Sequence, residues 1–370
     1  MAKKALVVIC LALAVSLVTV VGLYDNLSAK KKVRPTIMIQ SRIDNGPWLK
    51  QAVIYPLKEQ TIKLKVKKRP RADIRWYQII PDLSKMYKNA NHPWEKDPYK
   101  WIGFDNIEYH RKELTSFRGQ WTIQPFEVTP GSWRNSISAL PFLKKLRSKS
   151  QYYNDQLGSF WYQAVVKQRG KTFRSYGIED GDKRGLSPNV FRISVRGSEG
   201  YLGYLTSFFN VPGLFGSIPY QSHNYIGVDC ADVLVAAYCK WKHRSMRKNH
   251  CVASLVGGLP KAVKLDIKDG KPNKRIVWDK QIKSGYLIAV KYEGERSYQH
   301  IGSLAGDTNR NGILDKDDLV LHCGPYPLHY SRLNEGKFDG HVVVLKPFMS
   351  KLAEDHWLIR VAQDIRCHLR

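Results

Sequence analysis

The sequence predicts an α+β protein, and two patterns lead to this fold class. In the first, Ile62, Leu64 and Val66 alternate with lysines, the period of two that gives a strand one apolar and one basic face. In the second, the apolar segment 233–238 has the composition of a helix, and strand-like runs follow it between 282 and 323. We therefore expect a β-rich region first and a mixed domain after it.

The β-rich region is expected to form an antiparallel β-sandwich-like domain, because short apolar runs separated by turn residues are typical of such domains. One strand begins near Ile74 and ends at Pro81. Others are predicted at 101–108, 120–128, 159–167, 171–177 and 190–196. These runs divide the chain into an N-terminal segment (1–34), a β-rich domain (35–200) and a mixed domain (201–370).

Net charge narrows the choice of partners. The 370 residues contain 60 Lys and Arg against 32 Asp and Glu, a formal net charge of +28. Such a surface favours anionic partners, which include nucleic acids, acidic lipids and cell-wall polymers. Charge alone does not choose among these three.

The N-terminus predicts export to the cell envelope. Lys3 and Lys4 precede an apolar run at 5–24, and these twenty residues match a bilayer core of about 30 Å. We expect an uncleaved signal anchor rather than a long signal peptide, because the run lacks a convincing small-residue cleavage site. The protein is then held in the inner membrane by this helix, or secreted, with its bulk outside the cytosol. A nucleic-acid partner is not expected.

The cysteines are compatible with export. Of the six, Cys10 lies in the apolar run and Cys230 is the candidate for chemistry. The other four allow three disulfide pairings, and the sequence does not choose among them or exclude free thiols. They are Cys239, Cys251, Cys323 and Cys367.

Cys230 is the candidate nucleophile because it directly precedes the predicted helix. The start of a helix carries a partial positive charge, which lowers the pKa of a thiol and favours the thiolate. Asp229 and Asp232 are expected to cap the same helix end. A thiol nucleophile also requires a base, and the base requires a group that orients it.

Two histidines on predicted strands can fill those roles. His300 opens the strand-like run 301–304, and His322 lies in the run 319–323. A helix that carries the cysteine, packed on strands that carry the histidines, brings all three side chains within reach. His329 and His341 are the reserve candidates for the orienting role.

The residues around Cys230 resemble the nucleophile motif of the NlpC-type, papain-like cysteine peptidases of bacterial cell walls. A second block, Lys283 to Leu287 followed by His300-Ile301-Gly302, is similar to the Gly-Asp-Leu and His-Val-Gly strands of that family. The match covers residues 201–345. The positions that match the nucleophile motif are Pro219, Tyr220, Asp229 and Cys230.

The resemblance implies a papain-like fold for the second domain and a role for each site residue. Cys230 is then the nucleophile, His300 the general base and His322 the polar residue that orients it. Tyr220 and Asp229 are then close to the substrate or to the oxyanion. The implied activity is cleavage of amide bonds in peptidoglycan stem peptides.

Three positions depart from the family pattern. Ala231 and Asp232 replace the usual serine and glycine after the nucleophile, and Tyr286 replaces the usual aspartate. Two alternatives therefore stay open beside the hydrolase. One is a catalytically inactive envelope-binding protein on the same fold, and the other is a thiol acyltransferase or non-peptide amidase.

The segment 307–318, DTNRNGILDKDD, matches the spacing of an EF-hand calcium loop. Oxygen donors recur at the expected positions, and Gly312 occupies the sixth, where a sharp turn is needed. The loop resembles the dockerin-type variant, since Asp318 replaces the usual final glutamate. We expect a structural Ca²⁺ in this loop, inserted between the two histidine strands. The predicted ligands are Asp307, Asn309, Asn311, the Ile313 carbonyl, Asp315 and Asp318.

Overall fold

The computed structural model describes residues 34–125, 157–324, 326–335 and 337–347. These residues are mostly strand with few helices. The predicted membrane run 5–24 lies outside them, as do Cys10 and Cys367. Within the described ranges, none of the helices is both long enough and apolar enough to span a bilayer.

The first part of the chain forms two sheets. A three-stranded sheet has the order β1-β3-β7, and a six-stranded sheet has the order β2-β10-β8-β4-β6, with β9 paired to β8. The strands are β1 (Gln40–Ile43), β2 (Val53–Ile54), β3 (Ile62–Lys65), β4 (Asp73–Pro81), β5 (Tyr87–Lys88), β6 (Tyr109–Glu113), β7 (Thr122–Ile123), β8 (Gly158–Gln168), β9 (Lys171–Arg174) and β10 (Phe191–Val195).

The alternating pattern of the sequence is confirmed in β3, where Ile62 and Leu64 are buried and the intervening lysines are partly exposed. The expected wholly antiparallel arrangement is wrong in one place, because β2 and β10 run parallel. The strand expected at 101–108 is also wrong. Gly103 has φ +112°, which interrupts an extended backbone, and the strand begins only at Tyr109.

The second part combines four short helices with an antiparallel seven-stranded sheet, whose order is β13-β12-β18-β14-β15-β16-β17. The helices are α1 (Gly200–Thr206), α2 (Pro219–His223), α3 (Cys230–Trp241) and α4 (Val252–Gly258). The strands are β11 (Leu214–Phe215), β12 (Lys261–Lys268), β13 (Lys271–Pro272), β14 (Leu287–Lys291), β15 (His300–Gly306), β16 (Leu319–His322), β17 (His329–Arg332) and β18 (Gly340–Leu345).

One continuous hydrophobic core joins the two parts. It includes Trp76 from β4, Leu234 from α3 and Ile301 from β15, all fully buried. The short β11 also pairs with β5 from the first part. A second buried cluster, which includes Ile288, lies apart from this core in the seven-stranded sheet region. Helix α3 packs against β15 within this shared core, and the division at residue 200 stays a prediction.

Candidate active site

Helix α3 begins at Cys230 because Asp229 caps it. The Asp229 carboxylate accepts the backbone N–H groups of Ala231 (3.1 Å) and Asp232 (2.8 Å), as an N-cap residue does. The following residues 231–239 are buried, so the helix is held by the core. The predicted helix and its Asp229 cap are thus confirmed.

Asp232, the other expected cap, has a different role. Its side chain accepts hydrogen bonds from Ser217 Oγ (3.1 Å) and from the backbone N–H of His250 (3.0 Å). The residue is 1% exposed, and burial raises the pKa of its carboxyl to about 7. The aspartate that departs from the family pattern therefore ties two loops to the buried side of α3.

The strands β15, β16 and β17 are neighbours, and their register brings the two predicted histidines together. Nε2 of His300 lies 2.9 Å from Nδ1 of His322. Nε2 of His322 in turn lies 2.7 Å from Oγ of Ser331. The ring of Phe338 packs against both imidazoles, with centroid distances of 5.2 and 5.4 Å. His322 and Ser331 are fully buried, so water does not compete for these bonds.

Ser331 was not predicted from the sequence. The signal that points to it is the alternation in β17, where His329 and Ser331 are two residues apart and both buried. Neither residue belongs to a recognised motif, so only the pairing of β17 with β16 identifies the partner of His322.

The two hydrogen bonds allow two proton arrangements. When His300 donates from Nε2, His322 accepts at Nδ1 and donates from Nε2 to Ser331, because a neutral imidazole carries one proton. Nδ1 of His300 is then a proton acceptor. In the reverse arrangement Ser331 donates, and Nδ1 of His300 carries a proton. Reversal of both hydrogen bonds therefore changes Nδ1 of His300 from a proton acceptor to a proton donor.

The Cys230 thiol lies beside the first residues of β15. Helix α3 packs against this strand, and the backbone N–H of Ile301 donates a hydrogen bond to the sulfur. Ile301 directly follows His300 in the chain. The thiol is half-buried and not in a disulfide. The structure therefore brings the Cys230 thiol to the backbone of the strand that carries His300, and the catalytic roles stay predictions.

Burial favours the neutral forms of the Cys230 thiol and of the His300 and His322 imidazoles at pH 7. It raises the pKa of the Cys230 thiol, and the carboxylate of Asp229 adds to this effect. Burial, with repulsion from Lys337 and from His329 when that imidazole is protonated, lowers the pKa of His300 to about 3. Burial also lowers the pKa of His322 well below its usual value. The expectation that the helix start lowers the thiol pKa is wrong here, because burial is the largest contribution to the shift and it raises the pKa.

The reserve histidines have separate environments. His329 is buried, its Nδ1 donates to the carbonyl of Pro327 (2.8 Å), and its ring lies 4.4 Å from that of His322. His341 is largely exposed and contacts Asp266 (2.7 Å) between β18 and β12. Of the two, only His329 belongs to the histidine cluster.

Tyr220 is oriented by the guanidinium of Arg184, which lies 3.9 Å from its ring centroid. The ring packs on a small buried cluster that includes Leu214 and Ile226. Asp229 is committed to capping α3, as described above. A role for Tyr220 and Asp229 at the substrate or oxyanion stays a prediction.

A loop from the first part of the chain, residues 89–104, carries several aromatic residues that the sequence-based predictions did not include among the site residues. Burial raises the pKa of Tyr99, and Glu295, Cys251 and Cys230 add to the shift when they are ionised. On the same loop, Trp94 and Trp101 are 76% and 49% exposed. The concentration of aromatic residues between 94 and 104 is the signal that the sequence offered.

The predicted calcium loop is closed by its own hydrogen bonds. Asp307 accepts the backbone N–H groups of Asn311 and Gly312, and Asp315 accepts from the side-chain amide of Asn309 (2.8 Å). Asp318 is fully buried, and it accepts from the indole N–H of Trp278 (2.9 Å) as well as from backbone amides.

Four of the predicted side-chain ligands therefore lie together in the loop, whereas Asp318 is engaged with Trp278. Among the described residues, no group of three or more His, Cys, Asp and Glu side chains is arranged to hold a metal ion. Calcium binding stays a prediction.

The four described cysteines are all free thiols: Cys230, Cys239, Cys251 and Cys323. None of the three possible pairings among the remaining cysteines therefore occurs within the described part of the chain. The Cys230 sulfur is available for chemistry.

Comparisons of the chain with models of protein families, with curated proteins and with solved structures found no match.

Proposed function

We propose that the protein is a cysteine hydrolase that cleaves amide bonds, with Cys230 as nucleophile, His300 as general base and His322 as the residue that orients it. The observation that carries this proposal is the 2.9 Å contact between His300 Nε2 and His322 Nδ1, on the strand whose Ile301 backbone approaches the Cys230 sulfur. This contact occupies Nε2 of His300 and leaves Nδ1 to exchange a proton with the sulfur.

The reaction starts from neutral groups. As the sulfur of Cys230 attacks the amide carbonyl, its proton moves to Nδ1 of His300, and the new imidazolium is stabilised by its hydrogen bond to His322. The same proton then passes to the leaving nitrogen as the carbon–nitrogen bond breaks. Water, deprotonated by His300, hydrolyses the thioester and restores the thiol and a carboxylic acid.

The observed elements support a papain-like second domain and a sandwich-like first domain. A helix that begins at the nucleophile and packs on antiparallel strands bearing the histidines is the arrangement expected of a papain-like domain. The two sheets between residues 40 and 195, with their common core, support a sandwich-like first domain.

The substrate class follows from the family resemblance and from charge. Stem peptides of peptidoglycan are the proposed substrates, and a net charge of +28 favours retention on an anionic wall. The apolar run 5–24 supports an envelope location, anchored in or secreted across the inner membrane.

A second candidate is an envelope-binding protein without turnover. The observation in its favour is the raised pKa of the Cys230 thiol, because a neutral thiol is a weak nucleophile until a base removes its proton. An acyltransferase or a non-peptide amidase would use the same residues as the hydrolase.

Cys230→Ala tests the proposal with purified peptidoglycan as substrate and mass spectrometry of the released muropeptides as readout. We expect the variant to release none, while wild type releases truncated stem peptides. Cys251→Ser is the matched control, since Cys251 is another half-buried free thiol at a helix start, where serine is a favourable cap. Equal product from wild type and Cys230→Ala contradicts the hydrolase, and product that requires an added amine identifies an acyltransferase.

A further inference from the structure

A second polar cluster surrounds the ring of Tyr225, at the opposite end of α3 from Cys230. It contains Arg192 from β10, Lys240 from the last turn of α3 and His223 from the end of α2. The guanidinium carbon of Arg192 lies 3.8 Å from the Tyr225 ring centroid, and Lys240 Nζ lies 5.8 Å from it. Two cations therefore approach one aromatic ring.

Arg192 is buried without a carboxylate partner. It is 3% exposed, and its three hydrogen bonds go to neutral oxygens: Ser194 Oγ (3.0 Å), the Asn224 carbonyl (2.6 Å) and the Tyr55 hydroxyl (3.3 Å). A guanidinium has five N–H groups, so two remain without an acceptor among the described residues. The other buried arginines of the first part, such as Arg174 and Arg196, are paired with carboxylates.

Lys240 also lacks an acidic partner within the described chain. Its ammonium lies 2.9 Å from Nε2 of His223, and Nδ1 of His223 is buried without a partner among the described residues. Burial and the charge of Arg192 lower the pKa of Lys240 to about 7. A buried guanidinium without a counter-ion is costly, and an anion bound to Arg192, with the partly buried Lys240 nearby, reduces that cost.

We propose that Arg192 and Lys240 form a binding site for a small oxyanion, either a carboxylate or a phosphate. The planar guanidinium donates two parallel hydrogen bonds to such groups, and the ammonium adds a second charge. Lys240 is ten residues beyond Cys230 on the same helix, about 15 Å along its axis. The site is therefore separate from the proposed catalytic residues and does not depend on the hydrolase proposal.

Isothermal titration calorimetry of the full-length protein with inorganic phosphate and with acetate tests the site, at an ionic strength held constant with sodium chloride. We expect saturable binding of at least one anion and a matching rise in the thermal unfolding midpoint. The anion that binds more tightly identifies the chemistry of the natural ligand.

Variants at Lys240 distinguish anion binding at a specific site from attraction by the net charge of the protein. Lys240→Met should weaken binding about tenfold or more, because a charged hydrogen bond is lost, whereas Lys240→Arg should retain it. Lys242→Met is the matched control, since Lys242 is half-buried and lies over the Trp241 ring (4.0 Å) on the same helix end.

Two results overturn the proposal. One is the absence of saturable binding of either anion to the wild-type protein, a measurement that needs no variant to fold. The other is equal weakening by Lys240→Met and Lys242→Met, which indicates screening of net charge.

Discussion

Nε2 of His300 lies 2.9 Å from Nδ1 of His322, and the two residues are on adjacent antiparallel strands. This contact does two things for chemistry. It fixes the orientation of the His300 ring, and it engages Nε2, so Nδ1 is the nitrogen that would exchange a proton with the thiol in the proposed hydrolase. The hydroxyl of Ser331 forms a hydrogen bond with the other ring nitrogen of His322, Nε2.

Ser331→Ala should lower the rate of muropeptide release about tenfold, and it should also lower the free energy of unfolding. The substitution removes the acceptor of His322 Nε2, and the loss of a buried hydrogen bond of this kind is worth about 1–3 kcal/mol. The matched control is Ser303→Ala, a fully buried serine in β15 of the same sheet. Equal losses of rate in the two variants contradict a positioning role for Ser331.

Acid should destabilise the protein through its buried histidines. The pKa of His300 is lowered to about 3 and that of His329 to about 4, whereas an unfolded histidine titrates near 6.5. Below that value the unfolded chain binds more protons than the folded one, so stability falls as pH decreases from about 6.5 towards 4. Asp232, whose pKa is raised to about 7, acts in the opposite sense, because its contribution is lost as pH rises from about 4 to 7.

Thermal unfolding midpoints measured from pH 4 to pH 7 test this pH dependence. We expect His329→Gln to lose less stability on acidification than wild type, whatever its midpoint at pH 7. The exposed His341→Gln is the control and should follow the wild-type slope. A His329→Gln slope equal to that of wild type excludes the buried imidazole as a cause.

Asp229→Ala should destabilise the protein by about 1 kcal/mol, because the first backbone N–H groups of α3 lose their acceptor. Asp229→Ser should retain most of the stability, since serine is also a good N-cap residue. Urea unfolding measures both variants. If serine and alanine are equally destabilising, the aspartate acts through something other than the cap.

Calcium should raise the thermal unfolding midpoint, and a chelator should lower it, if the loop 307–318 binds the ion as its sequence predicts. Asp315→Asn should weaken this response. Asp317→Asn is the control in the same loop, because Asp317 is paired with Arg332 (2.9 Å) and is not a predicted ligand. An unchanged midpoint with chelator, together with no metal bound to the purified protein, excludes the calcium site.

Several features could be predicted because their causes are local in the chain. The alternation at Ile62 and Leu64 determines which face of β3 is buried, and Pro81 ends β4. Asp229 before an apolar run marks the start of α3. The order of Cys230, His300 and His322 along the chain was sufficient to make them candidate catalytic residues. Their spacing is that of a helix followed by adjacent strands.

Other features depend on contacts between distant segments, and only the tertiary structure decided them. Ser331 is a partner of His322 because β17 pairs with β16. The thiol pKa is raised because residues from several elements exclude water from the sulfur. The position of Cys230 at the start of a helix does not predict this exclusion. Desolvation and strand pairing are properties of the assembled core, so they cannot be derived from short stretches of sequence.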